Sequence, residues 1–328
     1  MTQKKLISLI IPVFNEEENI YPLYAAVLPI INSCADQYDF ELVFTDNHSV
    51  DSTYAKLSEL REIDQRVRVF RFSRNFGYQK SILTGYLKAR GDALIQLDSD
   101  LQDPPDLIPD FLKHWEDGYA VVYGIRQSRQ ENVVLHYARR LFYRLAKYLS
   151  EDDLPVDVGD FRLIDRKVVD ILRQVDDAQP YLRGMIAAIG FRQHGIPYHR
   201  LGRERGMSNF RFKDLVSLAL DGILNHSIIP LRFATFFGAC ISILTVLAII
   251  AFSVGKLIFD LNWPVGFTTL TVLALAGISI NSLFLGIIGE YLGRIYQQVK
   301  KKPLVIMESA LDDDHDKYSD VSKTRKLD

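Results

Sequence analysis

Through the first 130 residues, near-continuous apolar runs alternate with stretches whose apolar positions recur at helical spacing. The runs Ile7–Phe14, Phe40–Thr45, Val67–Phe72, Ala93–Leu97 and Ala120–Tyr123 predict short strands. Few polar residues interrupt them, as expected of strands covered on both faces of a parallel sheet. Between them, Glu17–Ser33, Ser52–Arg61, Tyr78–Ala89 and Asp106–Glu116 predict helices. This alternation predicts a doubly wound α/β domain. Polar residues gather where the runs end, at Asn15-Glu16, Asp46-Asn47 and Asp98-Ser99-Asp100. Open α/β sheets bind ligands outside the carboxyl ends of their strands, so these positions are placed for chemistry before any motif is considered.

Beyond residue 130 the pattern changes. Glu131–Leu149 predicts a basic amphipathic helix, with Arg139, Arg140, Arg144 and Lys147 interleaved with Leu135, Leu141, Phe142 and Leu145. It reads as a surface helix packed on the sheet or, equally, as a helix lying on a membrane. Phe210–Ile229 is a second, mostly apolar candidate. Phe233–Gly255 and Pro264–Gly289 then run without a charge, and each is long enough to cross a bilayer core. The short Lys256–Trp263 connection would make them a transmembrane hairpin. Arg200, Arg203, Arg205, Arg211, Lys213 and Arg232 precede it, and Arg294, Lys300, Lys301 and Lys302 follow. The positive-inside rule therefore places both ends, and the α/β domain, in the cytoplasm. The expected organisation is an α/β core over 1–130, a region with basic interfacial helices over 131–230, two membrane helices over 231–295 and a cytoplasmic tail over 296–328. The tail after Met307, with Asp312-Asp313-Asp314 and few apolar residues, is predicted to be disordered. Gly286 and Gly289 to Gly293 give small-xxx-small spacings that would permit a homo-oligomer.

Composition narrows the classes. A net charge of -2 over 328 residues gives no global signal for nucleic acid. Cys34 and Cys240, far apart and outside any CxxC pattern, argue against a disulfide framework or a zinc site and fit a reducing compartment. The apolar N-terminal run contains Pro12 and passes straight into Asn-Glu-Glu-Glu-Asn, which fits a buried first strand better than a signal peptide. The strongest local signal is Leu97-Asp98-Ser99-Asp100-Leu101-Gln102-Asp103-Pro104-Pro105 directly after a strand. Two aspartates two positions apart in an extended segment point the same way. Such a pair suits Mg2+ or Mn2+, an ion that would also hold a substrate diphosphate. A helix cap is the plainer reading, but Asp106 already serves that helix and a cap leaves Asp98 unexplained.

Here the chain resembles a known family. IPVFNEEENI at the first strand, TDNHSVDST after the second and RNFGYQKSILTGYLKARGDALIQLDSDLQDPP resemble the family 2 inverting glycosyltransferases of GT-A fold. DSDLQDPP, DVGDFRLIDR and the expected hairpin resemble the polyisoprenyl-phosphate members, over roughly residues 5 to 300. The resemblance implies a nucleotide-sugar donor, with Pro12, Phe14, Asn15 and Glu16 lining the nucleoside pocket and Asp46 holding the base. It implies Asp98, Asp100 and Gln102 around the metal and diphosphate, and Arg126, Arg139, Arg203, Arg205 and Ser208 on the phosphate of a polyprenyl-phosphate acceptor. Asp157 matches the position assigned as base or acceptor-orienting carboxylate. Because a phosphate nucleophile is already anionic near neutral pH, orientation is the larger role expected of it. Where the family carries an acidic pair followed by Gly-Ser, this chain has Asp46-Asn47-His48-Ser49, and His48 reads as a solvated or capping residue.

The expected reaction is single sugar transfer with inversion at a bacterial inner membrane, first choice glucose from UDP-glucose to undecaprenyl phosphate. A UDP-amino-arabinose donor, or GDP-mannose with dolichyl phosphate, remain open. A processive polysaccharide synthase would need a Gln-x-x-Arg-Trp motif, and Trp115 and Trp263 stand in no such context. A non-catalytic membrane scaffold would not need Asp98, Asp100 and Asp157 together.

Overall fold

The structure, a computed structural model, describes residues 4–127, 158–177, 180–200, 266–300 and 302–312, with Phe236, Phe237, Cys240, Ile243 and Leu247. The chain divides into two units. The first comprises Met1–Tyr143, Asp152–Arg211 and Lys302–Asp328; the second comprises Arg144–Glu151 and Phe212–Lys301.

The first unit is built on a sheet of eight strands among the described residues: β1 (Lys5–Val13), β2 (Tyr38–Asp46), β3 (Val67–Phe72), β4 (Ala93–Gln96), β5 (Val121–Gln127), β6 (Val158–Asp165), β7 (Gln193–His199) and β8 (Met307–Leu311). Their order is β7-β5-β6-β4-β1-β2-β3-β8. Strands β3, β2, β1 and β4 run parallel, whereas β6 is antiparallel to both β4 and β5 and β8 is antiparallel to β3. The five expected strands and four expected helices are all present, with ends shifted by a few residues: α1 (Ile20–Cys34), α2 (Thr53–Ile63), α3 (Tyr78–Lys88) and α4 (Ile108–Glu116).

Alternation along β1 explains the layering. Ile7, Leu9, Ile11 and Val13 point to one face and pack with buried residues of α1, α2 and α4. Ile10 points to the other face, with Val43, Phe70 and Leu94, where α3, α5 (Arg166–Leu172) and α6 (Leu182–Ala188) cover it. Helix α3 comes close enough that a Cβ on Gly85 would lie 2.3 Å from Ile10 Cγ2, so glycine is required at that contact. Because β2 and β4 flank β1, the chain leaves β1 in one direction and later returns on its other side. The loops after β1 and β4 therefore diverge at a topological switch point, where such sheets open a crevice.

Two expectations need correction. The sheet does not stop at residue 130, since β6, β7 and β8 come from later segments. The tail is not disordered at its start. Met307–Leu311 pairs with β3, and Asp312 is buried against Arg68 and Arg90, at 2.8 and 3.0 Å. A strand edge with free N–H and C=O groups recruits even a short segment, and a buried cation gives the adjoining aspartate a partner.

In the second unit, helix α7 (Phe267–Val299) runs for 33 residues, about 50 Å at helical rise. Leu270, Leu273, Ile278, Leu285, Leu292 and Ile295 are exposed along it. Among the described residues, no helix is long and apolar enough to cross a membrane. The predicted basic helix 131–149, the segment 210–229 and most of the first expected span lie outside the described residues.

Candidate active site

Among the described residues, three non-glycine residues have positive φ, and each follows a strand at the sheet's carboxyl edge: Asn15 (55°) after β1, His48 (65°) after β2 and Leu101 (55°) after β4. Each costs on the order of 1 kcal/mol or more, and such strain persists only where surroundings enforce it. Here the enforcement is visible. The Asn15 N–H donates to Ser49 Oγ at 2.9 Å, and Asn15 Oδ1 accepts from the Val50 N–H at 2.9 Å. The Glu16 N–H donates to Thr53 Oγ1, and Ser52 N–H donates to Glu17 Oε2. The first two loops are thereby fastened to each other.

Asn47 fastens the third. Its Nδ2 donates to Asn75 Oδ1 at 2.9 Å while its Oδ1 accepts from the Phe76 N–H at 2.8 Å. The position needs a donor and an acceptor at once, which an ionised carboxylate cannot supply. His48, standing where the family carries glycine, takes the left-handed conformation glycine would take. Its Nδ1 lies 3.0 Å from Phe72 O and 3.4 Å from Glu308, so it is a capping residue of the loop. Asp46 is fully buried; Oδ1 accepts from the Ser49 N–H at 2.9 Å. Its Oδ2 has no hydrogen-bond partner, and Arg71 lies 3.7 Å away. Phe14 is exposed at the same edge, while Pro12 is buried inside β1, paired with Thr45.

Across the switch point, Asp98 follows β4. Its Oδ1 accepts from both Tyr78 Oη and Gln96 Nε2, leaving Oδ2 without a hydrogen bond among the described residues. Burial pushes the Asp98 carboxyl up to about 6, with Asp103, Asp160 and Asp100 adding to the rise and the Tyr78 hydroxyl opposing it. Asp100 Oδ1 accepts from the Gln102 backbone N–H at 3.2 Å, which closes the turn that Leu101 makes. Gln102 thus contributes its main chain to the loop.

The far side of this loop is cationic. Asp103, fully buried, accepts from the Tyr198 hydroxyl and from Arg126 Nη2 at 3.2 Å, and Arg200 Nε lies 3.3 Å from it. Asp160 on β6 is held bidentately by Arg183 at 2.9 and 2.8 Å. Burial alone would raise the Asp160 carboxyl, but Arg183, with Arg162 and Arg126 near it, holds it below the usual carboxylate range. Of the predicted acceptor-side residues only Arg126 falls within the described residues. Asp157, Arg139, Arg203, Arg205 and Ser208 lie outside them, although Val158, next to Asp157, pairs with Ile125 of β5. Sequence reasoning missed Tyr78, Gln96, Asp103, Asp160, Arg183, Tyr198 and Arg200. Asp103 and Asp160 stood inside quoted motifs, but their partners come from distant segments.

A divalent ion fits the residues present. Asp98 keeps uncompensated negative charge beside three further carboxylates, the condition a cation relieves. Among the described residues no group of three or more His, Cys, Asp or Glu is placed to hold a metal. An ion would therefore rest on Asp98 and Asp100 and fill its shell with diphosphate and water oxygens, as Mg2+ commonly does.

Comparison with known proteins agrees with the geometry. Residues 8–172 match the sequence profile "Glycosyl transferase family 2". The uncharacterized glycosyltransferase YkcC of Bacillus subtilis (strain 168) is 37% identical over 304 residues, 92% of this chain and 93% of its own. The bactoprenol glucosyl transferase of Shigella phage SfV is 33% identical over 304 residues, 92% of this chain and 98% of its own. The prophage bactoprenol glucosyl transferase homolog of Escherichia coli (strain K12) is 34% identical over 308 residues, with 92% and 98% covered. The mixed sheet, with β6 antiparallel between β4 and β5, is of GT-A type. Matched across half its length by the profile and across nine-tenths by relatives above 30% identity, the chain belongs to glycosyl transferase family 2 and is a glycosyltransferase.

Proposed function

We propose that the protein transfers one sugar, with inversion, from a nucleotide-sugar donor to a polyprenyl phosphate. Glucose from UDP-glucose and undecaprenyl phosphate are the first pairing. The observation that carries this reading is the division of charge about one loop. Asp98 and Asp100 follow β4, next to β1 at the sheet's carboxyl edge, while Asp103 in the same loop gathers Arg126 and Arg200. A donor diphosphate neutralised by a divalent ion belongs on the first side, and an anionic acceptor belongs on the second. The names of relatives that act on bactoprenol support a lipid acceptor.

The chemistry asks little proton transfer of the protein. An acceptor phosphate monoester, with a second pKa of about 6, is already a nucleophile at neutral pH. This chain's residues bind and orient. Asp46, its Oδ2 unpartnered, offers an acceptor to the base N–H. The Tyr78 and Gln96 hydrogen bonds fix Asp98, and Arg126 directs the acceptor oxygen toward the anomeric carbon. Asp157 fits an orienting role. A bound Mg2+ or Mn2+ would supply charge neutralisation for the departing nucleoside diphosphate. Fixed charges in a shielded site contribute most because they need no reorganisation during transfer.

The same reading anchors the protein in a bacterial inner membrane through a hairpin of 233–255 and 264–289, with the catalytic unit and both termini cytoplasmic. The charge-free runs and the exposed aliphatic residues along α7 support it. The deciding assay is transfer from radiolabelled UDP-glucose to undecaprenyl phosphate in detergent, with Mn2+ or EDTA, for wild type and Asp100→Asn. Metal-dependent labelled lipid, lost in the variant, is expected. Silence with UDP-glucose but product with another nucleotide sugar would replace the donor. Silence across donors and both lipid types would defeat the reading.

A further inference from the structure

We propose that Asp103 is the positioning residue of a phosphate-binding pair, Arg126 and Arg200, that receives the acceptor's phosphate monoester. The inference rests on the functional reading above and adds Arg200, Tyr198 and Asp103 to the site. Its first support is the cluster's construction. Asp103 has almost no exposure, and its Oδ1 and Oδ2 are approached by the Tyr198 hydroxyl, Arg126 Nη2 and Arg200 Nε. Tyr198 also accepts from Arg126 Nε at 3.2 Å, so carboxylate, phenol and guanidinium close a ring. A buried carboxylate with three such neighbours is fixed, and it fixes them.

The second support is the space cleared around the cluster. Gly124 on β5 would place a Cβ 2.5 Å from the Tyr198 ring, and Gly159 on β6 would place one 2.6 Å from Arg126 Nη2. Two neighbouring strands thus give up a side chain where these two groups lie. The third support is charge. Two guanidiniums meet one carboxylate, and both arginines remain about a third exposed. Arg126 Nη1 and the two terminal nitrogens of Arg200 take no hydrogen bond among the described residues, and Arg200 Nε is unsatisfied where it stands. Asp103 therefore orients the pair without neutralising it. Two forked cations with open N–H groups suit a dianionic phosphate oxygen cluster better than a single charge would. Asp98 lies close enough to act on Arg126 electrostatically, which puts the anion beside the donor carboxylates.

The test uses the full chain in detergent. Farnesyl phosphate is expected to raise the melting temperature of wild type, and farnesol, which lacks the phosphate, is not. Arg200→Gln and the shape-keeping Asp103→Asn should lose most of that shift. In transfer assays the KM for undecaprenyl phosphate should rise about tenfold or more, the scale of a lost charge-assisted hydrogen bond. For Arg200→Gln the KM for the donor should rise far less than the KM for the lipid. Arg200→Lys should recover part of the acceptor KM, which a purely structural role would not give. A folded Arg200→Gln with wild-type acceptor KM overturns the proposal, as does a donor KM that rises in step. A wild type unshifted by farnesyl phosphate also overturns it. Absence of any lipid transfer by wild type defeats the functional reading instead, and the melting data still judge the phosphate pair.

Discussion

Asn47→Asp would restore the acidic pair found after the second strand in the family pattern, and this structure argues that the change harms the protein. Asn47 is 5% exposed. Its Nδ2 faces Asn75 Oδ1 at 2.9 Å, and a carboxylate there would set two acceptors against each other. Turning the Asn75 amide around offers no escape. Asn75 Oδ1 also accepts from the Gly77 N–H at 2.9 Å, and a flip would leave that N–H facing an amide nitrogen. The bond from the Phe76 N–H would survive. One lost bond and one unsatisfied buried acceptor predict a loss of about 1–3 kcal/mol. Protonating the new carboxyl would restore a donor, so its folded pKa must lie above the unfolded value of about 3.9. A carboxyl raised in this way leaves stability intact below the unfolded pKa and costs it as pH climbs through the folded pKa. The deficit should therefore be small near pH 4 and complete by pH 8. Urea unfolding of the full chain in detergent, at several pH values, reads it directly. The donor KM should rise as well, because Asn47 ties the Asp46 loop to the loop before α3. Equal stability at pH 8, or a deficit that grows toward acid, would refute the reasoning.

Three further outcomes follow from named contacts. Asp312→Ala removes a carboxylate that accepts from Arg68 Nε and Nη2 and from Arg90, but Arg68 keeps Glu41 at 2.7 Å. The cost should sit at the low end of the range for a broken buried pair, about 3 kcal/mol, measured by urea unfolding, with proteolysis at residues 302–312 accelerated. Arg183→Gln strands Asp160, whose carboxyl the guanidinium now keeps depressed. Wild type should retain that contribution above about pH 4 and lose it only as pH falls through the lowered pKa; the variant should instead weaken as pH rises from 4 to 8. Gly159→Ala should lower stability by about 1–3 kcal/mol in urea unfolding, because the Cβ pushes the Arg126 guanidinium away from buried Asp103 and Tyr198. It should cut transfer about tenfold or more by moving that guanidinium.

Most of the fold was legible because its parallel strands are buried on both faces and write themselves as apolar runs. Strand β6 escaped notice because Asp160 and Arg162 interrupt it. Both are buried, yet each is satisfied by a partner that local sequence does not reveal, Arg183 and the Gly159 carbonyl. Strand β8 is short and precedes an aspartate run, so composition argued for disorder. Arg68, 244 residues earlier, and Arg90 turn Asp312 into an anchor. At the site, Asp46, Asp98 and Asp100 could be named from strand ends and spacing. The loop at Asn47-His48 could not be judged, since its geometry depends on Asn75 and on a backbone φ that residue type alone disfavours. Tyr198, Arg183 and Arg200 had no motif to mark them and enter the site through chain crossing; Tyr78 stood inside the quoted RNFGYQK stretch, which gave it no role.

The raised Asp98 carboxyl gives a last prediction, one that bears on the ion. With a folded pKa of about 6 in the absence of ligand, Asp98 is half protonated at pH 6 and about one-tenth protonated at pH 7. A divalent ion stabilises the carboxylate, so binding must expel whatever proton the group still carries. Titrating UDP and Mn2+ into the protein in buffers of differing ionisation enthalpy should reveal the release of about half a proton at pH 6. The release should decline to almost nothing by pH 8. A terminal phosphate with a pKa of about 6 releases protons to a metal over the same range. Asp98→Asn separates the two sources, since the variant keeps the nucleotide's share and loses the carboxyl's. Identical release by wild type and variant would mean that Asp98 stays outside the ion's shell. Asp100 would then be the sole carboxylate available to the ion in this loop, and the division of charge about residues 98–103 would need another account.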